Sequence, residues 1–171
     1  MSVQKLLIIL VLSVGVCASQ TAPGKAPEPD SIGAYFYYDA ASQTLKRLPR
    51  EDWKRHRGQG FASFSDNIKV SGTESAFRIP DTKPKFVFQV FKAEDAGKLK
   101  LFRFEAKGQE REYQLAKWKG KDSTYNDGVA VNVSKFGTSS FALTPEAPLE
   151  SGEYALPMGS LVFTFSVINS K

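Results

Sequence analysis

The densest run of chemically active side chains in this sequence is KRLPREDWKRHRGQG, residues 46–60. Between residues 46 and 57 it holds six Lys and Arg side chains against two acidic ones, a local net charge of +4. Guanidinium and ammonium groups gathered near a tryptophan can bind the carboxylate, sulfate or phosphate groups of an anionic partner. The candidate ligand-binding residues are therefore Arg50, Trp53, Lys54, Arg55 and Arg57.

The same segment also has the local pattern of a short helix near 49–57. Pro49 suits the first helical position, two acidic residues follow in the first turn, and basic residues at 55–57 precede the helix-stopping Gly58. Charges placed in this way complement the helix dipole at both ends. We favour this structural interpretation, in which the charges need no ligand, and keep the anion site as the alternative.

The basic surplus is local rather than general. The chain has a formal net charge of +5, and Lys5 lies in an N-terminal segment that we expect to be removed, so the remaining +4 equals the charge of residues 46–57. A general nucleic-acid binder would carry its basic residues over a wider surface. Nucleic acid is therefore disfavoured as a partner, and an acidic polysaccharide or another envelope component is the alternative that we retain.

The sequence contains no recognisable catalytic or metal centre. Its one histidine, His56, lies between Arg55 and Arg57, and no acidic residue is placed by sequence to orient it as a general base. The only cysteine is Cys17, so the chain lacks the Cys and His ligands of a zinc site. We predict no catalytic residues, no metal and no cofactor. A hydrolase would need acidic residues that come together only in three dimensions.

Alternating apolar residues predict strands through most of the chain. LVFTFSV (161–167) and VAVNVSKF (129–136) alternate with period two, which is typical of strands with one face in the core and one in water. AYFYYD (34–39) is rich in aromatic residues of high strand propensity. We predict an all-β fold, an antiparallel Greek-key β-sandwich, with a small β-barrel as the alternative.

One hairpin has a predictable register. LKLFRFEA (99–106) and REYQLA (111–116) flank the short turn sequence KGQE. Pairing across Gly108 and Gln109 places apolar residues on one face and sets Glu105 opposite Glu112, an unfavourable pair.

LESGEYAL, residues 149–156, resembles the corner of Greek-key sandwiches of the immunoglobulin and fibronectin-like type. The resemblance implies that Leu149, Gly152 and Tyr154 form a structural corner, with the tyrosine hydroxyl bonded to the nearby backbone.

FRIPDTKPKFVFQV, LKLFRFEAKGQEREY, FALTPEAPLESGEYAL and LVFTFSV together resemble small secreted bacterial domains of unassigned activity. The ending is similar to PLxPGEYAL followed by an aromatic strand, with Ser151 where proline is common. The resemblance spans much of residues 77–167. It implies export, a bacterial source and a β fold, and it supplies no catalytic residues.

The N-terminus has the pattern of an export signal. Residues 1–18 combine a basic Lys5, a short apolar run and the small-residue cleavage motif Val16-Cys17-Ala18. Residues 19–31 are rich in proline and small polar residues, which is typical of a flexible linker. We expect the β-sandwich domain at 32–171, without a membrane span in the mature chain. Lipidation at Cys17 is disfavoured because Val16 is larger than the residue expected immediately before a lipidated cysteine.

These patterns predict an exported protein, secreted or periplasmic. The function that we favour is a non-enzymatic domain with a binding or scaffolding role at the cell envelope. One alternative is an anion- or polysaccharide-binding module that uses the basic segment 46–57, and the other is a hydrolase.

The cleavage motif gives the first testable prediction. Intact-mass analysis of the exported protein should show a chain that starts at Ser19 and has no lipid. A diacylglycerol adduct on Cys17 would contradict the assignment of this site.

Overall fold

The computed structural model describes residues 26–61 and 63–168 of the chain. The predicted signal segment 1–18 lies outside the described residues. A single short 3-10 helix (Ala93–Lys98) accompanies the strands of this part of the chain. The strands are β1 (Tyr35–Asp39), β2 (Thr44–Arg47), β3 (Arg50–Glu51), β4 (Trp53–Gly60), β5 (Ser63–Ser71), β6 (Arg78–Ile79), β7 (Phe86–Phe88), β8 (Phe102–Lys107), β9 (Glu110–Lys119), β10 (Asp122–Tyr125), β11 (Val131–Lys135), β12 (Phe141–Pro145), β13 (Gly152–Met158) and β14 (Leu161–Val167).

The strands form two sheets. The smaller sheet has the order β11-β12-β7-β1-β2, and the larger has the order β3-β14-β13-β8-β9-β5-β4. In the larger sheet β10 also pairs with β9, and the two-residue β6 pairs with β14 in parallel. All other strand pairs are antiparallel. The prediction of an all-β antiparallel sandwich is confirmed.

The main core lies between the smaller sheet and strands β13 and β14. Aromatic residues of the strands supply much of this core. The ring centroids of Tyr35 and Phe163 are 5.6 Å apart, and those of Phe86 and Phe165 are 4.6 Å apart. Aromatic rings bury large apolar areas, so these contacts contribute strongly to the stability of the sandwich.

The larger sheet curls so that its two edges approach each other. Strands β3 and β4 are at opposite edges of the sheet, yet only Asp52 separates them in the chain. The Trp53 indole N–H of β4 donates to the Ser160 carbonyl oxygen, next to β14, at 2.8 Å. The sheet does not close into a barrel, so the barrel alternative is wrong.

The curled sheet encloses a second apolar cluster on the face turned away from the smaller sheet, which we call the inner face. The cluster draws on β5, β8, β9, β13 and β14, and its buried members are Ile68, Val70, Phe102, Phe104, Tyr113, Ala155 and Val162.

A buried arginine lies at one end of this cluster. Arg111 of β9 is only 1% exposed and forms ion pairs with Glu51 of β3 and Glu153 of β13. Its guanidinium also donates to the carbonyl oxygens of Gly72, at 3.1 Å, and Ser71, at 3.2 Å. The charge of Arg111 is thus fully engaged, as a buried charge requires.

The expectation that β14 has one face in water is wrong. Thr164 and Ser166, the polar residues of its alternating pattern, are buried. Their hydroxyls donate to the carboxylates of Glu51 and Glu153, respectively. The polar side of β14 therefore completes the shell around Arg111 instead of facing solvent.

The predicted helix near 49–57 is also wrong, because β3 and β4 occupy this segment. Each residue of β4 from Trp53 to Gly60 pairs with a residue of β5. Charges at helix ends contribute only about 0.3–1 kcal/mol each, and a complete ladder with β5 outweighs that local preference.

Other local predictions hold. In the β8–β9 hairpin Glu105 lies opposite Glu112, as the register predicted. Tyr154 is buried and its hydroxyl donates to the Glu150 carbonyl oxygen at 2.9 Å, the contact that the corner motif implied. Leu149 is buried beside it in the main core, and Gly152 begins β13 opposite Val167.

Contacts with the β-sandwich begin before Ile32, the predicted start of the domain. Glu28, within the predicted linker 19–31, accepts hydrogen bonds from the backbone N–H groups of Thr138 and Ser139. These contacts attach it to the loop between β11 and β12.

Arg111→Met should destabilise the protein by about 3–5 kcal/mol, because it leaves two largely buried carboxylates without their cation. Arg78→Met is the matched control, since Arg78 pairs with Glu74 on the surface and should cost less than about 1 kcal/mol. Urea denaturation measures both. Equal costs for the two variants would contradict the central role of Arg111.

Candidate functional site

The structure divides the predicted site residues among three places. Arg50 lies on β3 opposite Phe163, at the other edge of the sheet from β4. Because side chains alternate along β4, Trp53, Arg55 and Arg57 share the inner face. Lys54 lies on the other face of the sheet, which we call the outer face, together with its partner in the register, Lys69. Only part of the predicted cluster therefore comes together.

Trp53 has a structural role. It packs against the second apolar cluster, and its indole N–H is bonded to Ser160. Lys54 is exposed on the outer face, and Lys69 opposite it pairs with Glu110 at 3.1 Å.

Arg55 and Arg57 share one buried carboxylate. Arg55 Nε donates to Asp66 Oδ1 at 2.8 Å and its Nη2 donates to Oδ2, while Arg57 Nε lies 3.7 Å from Oδ2. The hydrogen bonds from Arg55, together with the charges of both guanidiniums, hold the pKa of Asp66 below its ordinary value. Two positive charges meet one negative charge, so this group keeps a positive excess at a half-exposed position.

The basic residues of β4 also have a structural consequence at the sheet edge. Within the described residues β4 pairs only with β5, so its other side is an edge. Charged side chains on an edge strand oppose pairing with a further strand. Lys54, Arg55 and Arg57 therefore protect this edge from aggregation whether or not they bind a ligand.

Strands β4, β5, the second half of β9, and β10 form a four-stranded ribbon, in the order β4-β5-β9-β10. Its two hairpin ends lie side by side, because Ser63 pairs with both Gly60 and Lys119. The smaller sheet does not cover the ribbon, since the main core contains no residue of these strands.

Aromatic rings line the end of the ribbon on its inner face. The ring of Phe64 lies 4.9 Å from that of Trp118, which lies 5.4 Å from that of Tyr125. We call these three residues the aromatic row. Tyr125 is 66% exposed. The register places the row beyond Asp66 on the same face, so that Arg57 and the aromatic row are neighbours.

The ribbon also gathers basic residues that are distant in the sequence. Lys117, Lys119 and Lys121 surround Trp118 in the segment KWKGK and join the basic residues of β4 and β5. Residues 53–71 and 114–125 contain seven Lys and Arg against two Asp, a net +5 that matches the formal charge of the whole chain. The ribbon is therefore the positive end of the molecule.

A polar cleft adjoins the ribbon where β8 and β10 both flank β9. Two depressions of about 400 and 460 Å³ share Arg103, Glu105, Tyr113 and Asn126. The larger group of lining residues also includes Tyr125, so this residue borders both the cleft and the aromatic row. Glu105 and Glu112 both lie in its wall, and Glu112 is held by Lys107 at 3.5 Å and Lys69 at 3.9 Å.

One segment of the sequence, KWKGK, belongs to the ribbon although its position in the chain does not indicate this. KWKGK combines a tryptophan with three lysines, as the 46–57 segment does, but only the pairing of β5 with β9 brings the two segments together. Phe64 joins the row for the same reason, and Tyr125 joins it because β10 pairs with β9. The predicted candidates thus included Arg55 and Arg57 but none of the three aromatic residues.

The chain matches no protein-family model, no curated protein and no solved structure. The resemblance to small secreted bacterial domains therefore stays a prediction. Residues 26–61 and 63–168 include no helix that is long and apolar enough to cross a membrane. In the same residues no three His, Cys, Asp or Glu side chains are grouped so that they could hold a metal ion.

The pKa of Asp66 predicts a specific loss of stability in acid. Because this pKa is lower in the folded protein than its ordinary 3.8, the contribution of the arginine–Asp66 contacts is complete above that value and is lost as the pH falls through the folded pKa. Asp66→Asn should therefore flatten the pH dependence of the unfolding free energy between about pH 5 and pH 2.

The matched control is Asp122→Asn, which changes an exposed aspartate of β10 that has no ion pair among the described residues. It should leave the pH dependence as in the wild type. Denaturant titrations at several pH values measure both variants, and superimposable curves for Asp66→Asn and wild type would refute the prediction.

Proposed function

We propose that this protein is an exported, non-enzymatic binding domain of the cell envelope and that the inner face of its ribbon binds an acidic polysaccharide. The observation that carries this proposal is the placement of the aromatic row beside Arg57 and Arg55, on a surface that the smaller sheet does not cover.

The two kinds of side chain match the two parts of a charged sugar polymer. Sugar rings have apolar C–H faces that pack against aromatic rings, and their carboxylate or sulfate groups accept paired hydrogen bonds from a guanidinium. Asp66 fixes the Arg55 guanidinium in place, so less side-chain entropy is lost when a ligand binds.

The charge of the ribbon supports the same class of ligand. Seven basic side chains against two acidic ones attract polyanions to the ribbon and raise the rate of encounter. Arg55 and Arg57 share the inner face with the aromatic row, whereas Lys54, Lys69 and Lys117 lie on the outer face. Single-stranded nucleic acid also binds basic surfaces with aromatic side chains. We favour polysaccharide because the predicted export signal directs the protein to the envelope, and nucleic acid is an outcome that the experiment below detects.

One observation favours a hydrolase as a second candidate function. Glu105 and Glu112 are directly opposite and both line the polar cleft. Facing residues of an antiparallel pair have Cβ atoms about 4.5–5.5 Å apart, close to the carboxyl separation of about 5–5.5 Å in retaining glycosidases. Glu112 is already paired with Lys69 and Lys107, which is why binding remains the first proposal.

Mature protein should bind immobilised heparin and polygalacturonate but not neutral dextran, and it should elute at moderate salt because exposed charges are screened over about 10 Å at 0.1 M. Trp118→Ala should weaken binding to polygalacturonate at least about fivefold, by analogy with the 1–3 kcal/mol that one stacked base contributes. Arg57→Ala should also weaken it and should shift elution to lower salt.

Phe91→Ala and Lys98→Ala are matched controls, because both side chains are highly exposed and lie outside the ribbon. Neither change should alter binding. Retention that is as strong in Trp118→Ala and Arg57→Ala as in the wild type would reject the ribbon as the binding surface. Stronger binding to single-stranded DNA than to polygalacturonate would reject the ligand class.

A further inference from the structure

We infer that the polar cleft beside the ribbon is a saccharide-binding cleft that selects which sugar rings the protein binds. This inference rests on the proposed function, because the cleft and the aromatic row would contact successive parts of one polymer. It assigns them different roles: the row and the arginines supply affinity for a charged chain, and the cleft supplies selectivity among sugars.

The cleft is formed by the backbone arrangement and exists without a ligand. Strand β8 pairs with β9 only from Glu105 to Lys107 and then diverges to pair with β13. Strand β10 takes its place beside β9 from Ala116 onward. The sheet therefore splits between the two strands, and the cleft occupies the split.

Several groups in its walls are held in position. Asn126 donates from its backbone N–H to the Leu115 carbonyl oxygen at 2.9 Å, and its own carbonyl oxygen accepts the Tyr113 hydroxyl at 3.0 Å. Arg103 donates to Glu150 at 2.6 Å. Such fixed walls reduce the ordering that a ligand must impose.

Other lining groups are available to a ligand. Gln114, Lys117 and Thr124 line the cleft, and none of these side chains makes a hydrogen bond or an ion pair within the described residues. They offer an amide, an ammonium and a hydroxyl group, which together can donate to and accept from neighbouring sugar hydroxyls.

The chemistry of the lining suits the hydroxyl groups of a sugar. Acidic, basic, amide and hydroxyl side chains alternate around the cleft, and neither charge sign dominates. A cleft lined in this way satisfies several hydroxyl groups, each of which both donates and accepts. The two adjoining depressions of about 400 and 460 Å³ provide space for two neighbouring rings.

Tyr125 connects the two surfaces. Its ring contacts Trp118 at 5.4 Å in the aromatic row, and the residue also lines the cleft. Alternation along β9 and β10 places Lys117 and Thr124 on the face opposite the row. A polymer whose rings pack on the row must therefore pass around Tyr125 to reach the cleft.

The test uses ¹⁵N-labelled mature protein titrated with three defined disaccharides: cellobiose, chitobiose and digalacturonate. At least one should shift the side-chain amide resonances of Gln114 and Asn126 in a saturable way. The double variant Gln114→Leu with Thr124→Val removes hydrogen-bonding groups at similar volume. It should weaken the binding of that disaccharide about tenfold or more. Retention on heparin should change less than twofold.

Gln109→Leu is the matched control, since Gln109 is exposed in the β8–β9 turn outside the cleft, and it should bind the disaccharide as the wild type does. If no disaccharide shifts the Gln114 and Asn126 resonances, the cleft inference is wrong, while Trp118-dependent retention on heparin would still support the ribbon. If Trp118→Ala did not weaken retention on heparin while a disaccharide still bound the cleft, only the assignment of the ribbon as a binding surface would be rejected. Cleavage of a bound disaccharide that Glu105→Gln abolishes would overturn the assignment of the cleft to binding.

Discussion

The ion-pair network around Arg111 is the interaction on which the larger sheet depends. One guanidinium connects β9 with β3 through Glu51 and with β13 through Glu153, while Thr164 and Ser166 of β14 complete the hydrogen bonds of the two carboxylates. Because breaking such a network leaves uncompensated buried charge, separating β9 from β3 or β13 at Arg111 is strongly disfavoured. The position of Glu51 also determines where the chain leaves β3, one residue before β4 begins at the opposite edge.

That curl has consequences for the proposed binding surface. Since β4 is carried to the far edge of the sheet, its basic residues lie beside β5 and, through β5, near the second half of β9. The ribbon then extends beyond the area that the smaller sheet covers, which leaves Trp118 and Tyr125 accessible beside Arg57. The split between β8 and β10 has the same origin, because β8 must diverge to pair with β13 while β9 continues into the ribbon. Edge protection by the β4 charges and binding of a polyanion are compatible roles for the same side chains.

The incorrect helix prediction shows where local patterns fail. Pro49, the acidic pair after it and the basic residues before Gly58 satisfy every local rule for a short helix, but those terms are small and depend only on neighbours in the chain. The β5 strand pairs with all eight residues of β4, and alternate pairs of such a ladder exchange backbone hydrogen bonds. Trp53 gains an apolar environment only in the strand arrangement. Contacts between distant segments therefore overrode a consistent but weak local preference.

The sequence by itself determined the elements whose pattern reflects a direct physical requirement. Alternation located β11 and β14 as strands, the short turn at Gly108 set the β8–β9 register with Glu105 opposite Glu112, and the corner motif located the bonded hydroxyl of Tyr154. Only the tertiary structure decided that Arg111 is buried, that the polar residues of β14 surround it, and that KWKGK lies beside the basic β4 strand. The physical reason is that alternation and turns act over a few residues, whereas burial of a charge and the gathering of a surface depend on which distant strands become neighbours.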